Sequence, residues 1–209
     1  MHFLITAGPT REYLDPVRYL SNASSGKMGY ACAAAALRRG HQVTLISGPT
    51  ACPIPAGAKV VPVMTCQEMR RAVLKVFPKC DCVIMTAAVS DYRPKHRSNT
   101  KIKSKLNRHT LELEPTEDIL AELGLKKEKQ ILIGFALEDK APRQRAMEKM
   151  TAKRLDLIVL NHPSTIGADT IDAQITRPAA NWQRYKGISK RRLANFLIKH
   201  AEKMTQSLQ

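Results

Sequence analysis

Aromatic side chains are few in this sequence: four Phe, five Tyr and one Trp make up 5% of its 209 residues. That scarcity, with no RNP-type motif and no zinc-finger spacing, argues against a module built to stack on or read nucleic-acid bases. Long apolar runs are missing too, so no segment is suited to span a membrane. The first residues are strand-like and carry no basic-then-apolar leader, and the expectation is a cytoplasmic protein. Five cysteines (Cys32, Cys52, Cys66, Cys80, Cys82) are odd in number and never in CxxC spacing. That pattern speaks against a disulfide framework and against zinc; Cys32 and Cys82 read as core residues. Acidic residues are in short supply, 18 against 34 Lys and Arg, leaving a formal charge of +16. Such an imbalance predicts anionic partners, with part of it a solvated surface. Some is concentrated, because Arg93, Lys95, Arg97, Lys101, Lys103, Lys105 and Arg108 share one segment without an acidic residue.

With 44% hydrophobic residues the chain can bury a proper core, and we expect one domain spanning 1–209. Strand-like runs recur at about 2–7, 42–47, 81–86, 131–135 and 156–160, with helical spacing at about 25–39, 65–77, 116–123 and 141–154 between them. Short apolar strands separated by amphipathic helices predict an α/β fold: a Rossmann-like three-layer sandwich with a mostly parallel sheet and a small β arm or hairpin. Residues 50–62, rich in Pro and Ala, read as a connector. The rhythm stops at 92–109, and the alternation in TLELE leads into a strand or hairpin arm. Beyond 161, IDAQIT and NWQRY predict a terminal hairpin, followed by an amphipathic helix from Ser189 to about Met204. Ligands belong beyond the carboxyl ends of such strands, where Gly8, Ser47-Gly48, Ala87-Ala88, Phe135 and Asn161 fall.

The run SNASSGKMG, residues 21–29, opens the first helix. Ser24 or Ser25 is expected to cap it, and the free amides and dipole there suit a phosphate or carboxylate; the plainer reading is a capped turn. A Walker loop is excluded, since Met28 follows Gly26-Lys27 where Ser or Thr is needed. A dinucleotide fingerprint fits poorly, because residues 9–23 separate strand from helix.

In order along the chain stand TAGPTREYLDPVRYLSNASSGKMG, TAAVSDYRP, KIKSK, PTEDIL, IGFALE and KMTAKRLDLIVLN. By these blocks, from about residue 3 to 161, the chain resembles phosphopantothenate-cysteine ligases of coenzyme A biosynthesis. The resemblance implies CTP-dependent activation of the carboxylate of 4'-phosphopantothenate as an acyl-cytidylate, with pyrophosphate released. The amine of cysteine then displaces CMP. Mg2+ accompanies CTP in bacterial members. No protein nucleophile is called for, since the attacking groups belong to the substrates.

The resemblance places Asn22 at the acyl-cytidylate, with Arg18 on the same loop facing a phosphate or, alternatively, Asp15. Lys101 matches the first lysine of a lysine-rich motif near the triphosphate; Ser104 replaces a lysine there and Lys105 follows. As a whole this segment is a closing flap or simply a flexible basic loop. The nucleotide is implied to meet Gly8, Ser24, Ala87, Ala88, Asp91, Lys101, Asp118, Ile119, Phe135, Lys149 and Lys153. Lys149 and Lys153 share one helix face at i,i+4, as a binding pair or as a solvated basic face. Glu117 stands where the family has proline. A homodimer is implied. Because the chain starts at the ligase's first strand, we expect no flavin and a separate decarboxylase polypeptide downstream. Two other readings compete: a nicotinamide-dependent oxidoreductase, which lacks its glycine fingerprint here, and a basic nucleic-acid-binding module, which lacks a motif.

Overall fold

The computed structural model describes residues 1–103, 110–138 and 142–206. In chain order the strands and helices are β1 (His2–Ala7), β2 (Arg11–Tyr13), β3 (Tyr19–Ser21), α1 (Lys27–Arg38), β4 (Gln42–Ser47), β5 (Lys59–Pro62), α2 (Cys66–Val76), β6 (Cys82–Met85), β7 (Tyr92–Pro94), β8 (Leu113–Pro115), α3 (Ile119–Lys126), β9 (Ile131–Leu137), α4 (Pro142–Ala152), β10 (Leu157–Asn161), β11 (Thr170–Thr176), β12 (Gln183–Ser189) and α5 (Lys190–Gln206). Eight strands form one sheet in the order β12-β11-β10-β9-β6-β1-β4-β5. The six from β10 to β5 are parallel; β11 and β12 run antiparallel at the edge.

Alternation along each central strand sends side chains to two separate cores, as the period of two in a pleated strand dictates. On β1, Phe3, Ile5 and Ala7 pack with α1 and α5, whereas Leu4 packs on the opposite face with α2, α3 and α4. Helices therefore cover both faces, and the expected three-layer sandwich is what the chain adopts. From β1 the chain runs outward to β4 and β5, then returns to place β6 on the other side of β1. This reversal puts the topological switch point between β1 and β6, where a crevice opens at the carboxyl ends.

Several expectations change. The 50–62 connector contains β5, a short edge strand whose KVVP sequence is half-exposed and ends in proline, so its pattern is weak. The 9–23 insertion folds into the β2–β3 hairpin. Residues of the expected arm pair as β7 with β8. Neither Ser24 nor Ser25 caps α1: Gly26 does, in the left-handed region at φ 76°, with no side-chain cap bond. The turn at Gly26 sets both serine hydroxyls ahead of the helix. Ser104, Lys105 and Arg108 lie outside the described residues. No helix among the described residues is long and apolar enough to cross a membrane.

Candidate active site

A cavity of about 740 Å3 opens at the β1/β6 switch point. Its floor continues from β6 through Met85 to Asp91, and its walls come from the starts of α1, α3 and α5, from α4 and from the turn after β10.

The floor is fastened to the first strand. Ala87 N donates to Thr6 Oγ1 at 3.2 Å, Ala88 N to Gly8 O at 3.0 Å and Ser90 N to Thr10 Oγ1 at 2.9 Å. The amides of Ala87 and Ala88 are thus spent inside the protein, and both residues line the cavity. Gly8 supports the floor from behind and does not line the cavity. Its φ of 72° is in the left-handed region, and a Cβ there would lie 3.0 Å from Gly48 O.

Asn22 precedes α1 and bridges to this floor. Its Nδ2 donates to Ala88 O at 3.1 Å and to Val89 O at 3.2 Å. Ser24 and Ser25 line the cavity beside it. The first intrahelical bond of α1 runs from Tyr30 N to Gly26 O, so the amides of the first turn have no helical acceptor.

Across the cavity, Asp118 organises a cationic wall. Its carboxylate caps α3 by accepting from Ala121 N at 3.0 Å and pairs with Lys153 Nζ at 2.6 Å. Burial raises the Asp118 pKa, but the hydrogen bonds from Lys153 and Ala121 outweigh it, and the net value falls below the usual 3.8. One turn earlier on α4, Lys149 Nζ donates to Phe135 O at 2.7 Å. Burial, reinforced by the charge of Lys153, pushes the Lys149 ammonium's pKa down. Among the described residues Lys149 has no carboxylate partner within salt-bridge distance. The pair is therefore not a solvated face: α4 turns both lysines onto the cavity.

Ser24, Ala87, Ala88, Asp91, Asp118, Ile119 and Phe135 join Asn22, Lys149 and Lys153 on the cavity wall; Gly8, Arg18 and Lys101 do not. Arg18 Nη1 pairs with Asp15 Oδ2 at 3.2 Å and donates to Ile102 O at 2.9 Å. Asp15 also accepts from Val17 N, Arg18 N and Ile102 N. Burial raises its pKa, yet these three amides bring it below 3.8. Asp15 thereby anchors the start of the lysine-rich segment, with Lys101 next to it, to the β2–β3 hairpin.

Sequence reasoning named Glu117 only as a departure from the family's proline, and missed Glu138, Thr165 and Lys190 on the wall. Glu117 Oε2 is buried without a hydrogen-bond partner, 3.6 Å from Arg93 Nη1. A signal for Lys190 was available in its position at the start of a strongly amphipathic helix. The buried cysteines are not poised as nucleophiles: burial pushes the Cys32 thiol up to about 12, and Cys66 and Cys82 also shift upward. Among the described residues no three His, Cys, Asp or Glu side chains converge as a metal cluster.

Residues 1–204 match the family described as "DNA/pantothenate metabolism flavoprotein C-terminal domain". Over 168 residues, 80% of this chain, the sequence is 51% identical to "Coenzyme A biosynthesis bifunctional protein CoaBC" of Bacillus subtilis (strain 168), covering 41% of that protein. The same-named protein of Escherichia coli (strain K12) is 45% identical over 168 residues, 78% of this chain and 41% of its own length. The chain thus spans about two fifths of the length of these curated relatives. A crystal structure of the C-terminal domain of a CoaBC protein superposes with a TM-score of 0.85 at 40% identity, covering 99% of this chain and 96% of that one. With the family match running through nearly every residue and the same layered fold, this chain belongs to the DNA/pantothenate metabolism flavoprotein C-terminal domain family.

Proposed function

We propose that this chain is a phosphopantothenate-cysteine ligase that uses CTP. A carboxylate oxygen of 4'-phosphopantothenate attacks the α-phosphorus, and pyrophosphate leaves with its electron pair. The amine of cysteine then attacks the acyl carbon, the acyl–phosphate bond breaks, CMP departs and the new amide loses a proton. The observation that carries this reading is the convergence of Asn22, Ser24, Asp91, Asp118, Lys149 and Lys153 on one cavity. Its support is the family and the relatives named for coenzyme A biosynthesis.

The residues divide the work. Lys149 and Lys153 meet the polyphosphate, and an incoming anion supplies the negative charge that the Lys149 ammonium lacks. Asp91 takes a ribose or base hydroxyl or amine, while Phe135, Ile119 and the small Ala87 and Ala88 shape the nucleotide slot. Asn22 binds the acyl-phosphate; to donate to it, the Nδ2 amide must leave the Ala88 and Val89 carbonyls. Lys101 and Arg18 reach the phosphates when the lysine-rich segment closes, or from a second copy. A closed site would exclude water from the mixed anhydride.

Mg2+ would be held chiefly by the triphosphate, with Asp91 or Glu138 as hard oxygen ligands from the wall; it supplies charge neutralisation at the phosphates. No electron changes hands in either step, so the ligation itself draws on no flavin. We place the enzyme in the cytoplasm, as a homodimer. Val17 (58%), Tyr92 (55%) and Leu113 (46%) are exposed on the two small hairpins, where β2 packs against β7, and are apolar side chains a second copy would cover.

The test supplies 4'-phosphopantothenate, cysteine, Mg2+ and either CTP or ATP, and follows pyrophosphate and monophosphate separately. Asn22→Asp should let pyrophosphate form while CMP release stalls, and Lys101→Gln should suppress pyrophosphate. Equal loss of both steps in both variants contradicts this division of roles. Absence of cysteine-dependent CMP formation by the folded, unaltered chain would overturn the reading.

A further inference from the structure

The cavity has cations on two sides, and only one is accounted for by the nucleotide. Lys149 and Lys153 sit on α4, which covers the same sheet face as α2 and α3. Lys190 lines the cavity from the first residue of α5, which covers the opposite face together with α1.

Lys190 is held in place by its surroundings. Its backbone N–H donates to Asp169 O at 3.0 Å and its Nζ to Thr165 O at 3.3 Å. The Asp169 carboxylate is taken by Lys27 Nζ at 2.6 Å, and Lys27 also donates to Gly167 O at 3.0 Å. This bracing ties the turn after β10 to the start of α1. Among the described residues no carboxylate pairs with Lys190, although burial, with the charge of Lys27 added, pushes its pKa below 10.5. A positioned, partly desolvated ammonium in no salt-bridge contact, its nearby carboxylate Asp169 being paired with Lys27, is arranged in a cavity wall to receive an anion.

The chemistry supplies one. In the acyl-nucleotide the reacting carboxyl group and the 4'-phosphate terminate opposite ends of the pantothenate chain, so the intermediate carries phosphate at both extremities. We propose that Lys190 is a specificity-determining residue that binds the terminal phosphate of the acyl substrate, at the α1/α5 side of the cavity opposite the nucleotide lysines. This inference rests on the ligase reading and adds to it a residue, a ligand group and an orientation. Ser24 and Ser25 stand on the same side, ahead of α1, as neutral donors to that phosphate.

Steady-state kinetics of Lys190→Met, Lys190→Gln and Lys190→Arg, with 4'-phosphopantothenate and with pantothenate that lacks the phosphate, test it. Loss of one charge-assisted contact should raise KM for 4'-phosphopantothenate about 10- to 100-fold in the Met and Gln variants. Values for CTP and cysteine should hold, kcat/KM for pantothenate should match the unaltered chain, and Arg should recover part of the loss. Using both neutral variants, with melting temperature as control, separates a lost contact from a lost fold. Equal losses with and without the phosphate, a shift confined to CTP or cysteine, or no change at all would overturn the assignment of Lys190. Failure of the unaltered chain to turn over CTP would instead overturn the ligase reading on which it stands.

Discussion

A half-buried lysine ammonium in a cavity wall, hydrogen-bonded to a carbonyl and in no salt bridge, is an unfavourable charge in the empty protein and a strong hydrogen-bond donor to an anion. Lys149 is such a group. Lys149→Met should raise KM for CTP about 10- to 100-fold, read by steady-state kinetics. The same environment fixes a proton balance. Folding lowers the pKa of Lys149 below 10.5, so between the folded value and 10.5 the unfolded chain holds more protons, and stability rises with pH there. A bound triphosphate offsets this penalty, so nucleotide binding at a pH between the folded value and 10.5 should be accompanied by net proton uptake. Calorimetry in buffers of different ionisation enthalpy measures it; proton release would contradict the role given to Lys149. On the role proposed for Asn22, Asn22→Ala should lower kcat about 100- to 1000-fold, since the donor offered to the acyl-phosphate is lost. At this scale much was readable from sequence, because motif blocks fix residue types and spacing. The pairing of Arg18 with Asp15, three residues apart, is one of the two readings of that loop and is the one the structure shows; the tie of Arg18 to Ile102, 84 residues distant in the chain, is what spacing does not contain.

The start of α1 shows what an element contributes. Gly29 lies against the strand ends so closely that a Cβ would stand 2.6 Å from both Ala7 Cβ and Thr86 Oγ1. Gly29→Ala should therefore destabilise the fold by about 1–3 kcal/mol, visible as a lower denaturation midpoint with unchanged slope. At α3 the cap is the vulnerable point. Asp118→Ala removes the bond to Ala121 N and should cost about 1 kcal/mol at neutral pH. Because the folded Asp118 pKa lies below 3.8, its contribution is present above that value and lost as the pH falls through the folded one. Denaturant titrations of the variant and the unaltered chain should converge in acid. Long elements were legible: β1 and β4 have the expected bounds, and α1, α2 and α5 begin within two residues of theirs. Three-residue strands such as β2, β3, β7 and β8 were not individually legible, since so short a run carries almost no periodicity. The position of α3 shifted by three residues because Thr116 and Glu117 serve the cavity wall and leave the cap to Asp118.

For the whole molecule, the layered arrangement follows from strands apolar on both faces, which only helices on both sides can cover. Sequence rhythm alone does not give the place of β6 beside β1; right-handed crossovers and the two-sided core decide it. The apolar face of the two hairpins gives a prediction at this scale. Sedimentation should find a dimer, and Tyr92→Lys or Val17→Asp should shift it toward monomer at equal concentration, because a charge would have to be buried. Met1 and the last turn of α5 meet far from the cavity. Thr205 Oγ1 lies 3.8 Å from Met1 Sδ, at the amino edge of the sheet. From there β1 runs roughly 20 Å and the 17 residues of α5 about 25 Å before either reaches the cavity. A tag or a fused catalytic unit joined at Met1 would accordingly start behind the molecule, on the rim away from its mouth. Handing a product to such a neighbour would mean crossing the roughly 20 Å that β1 spans between the carboxyl and amino rims of the sheet.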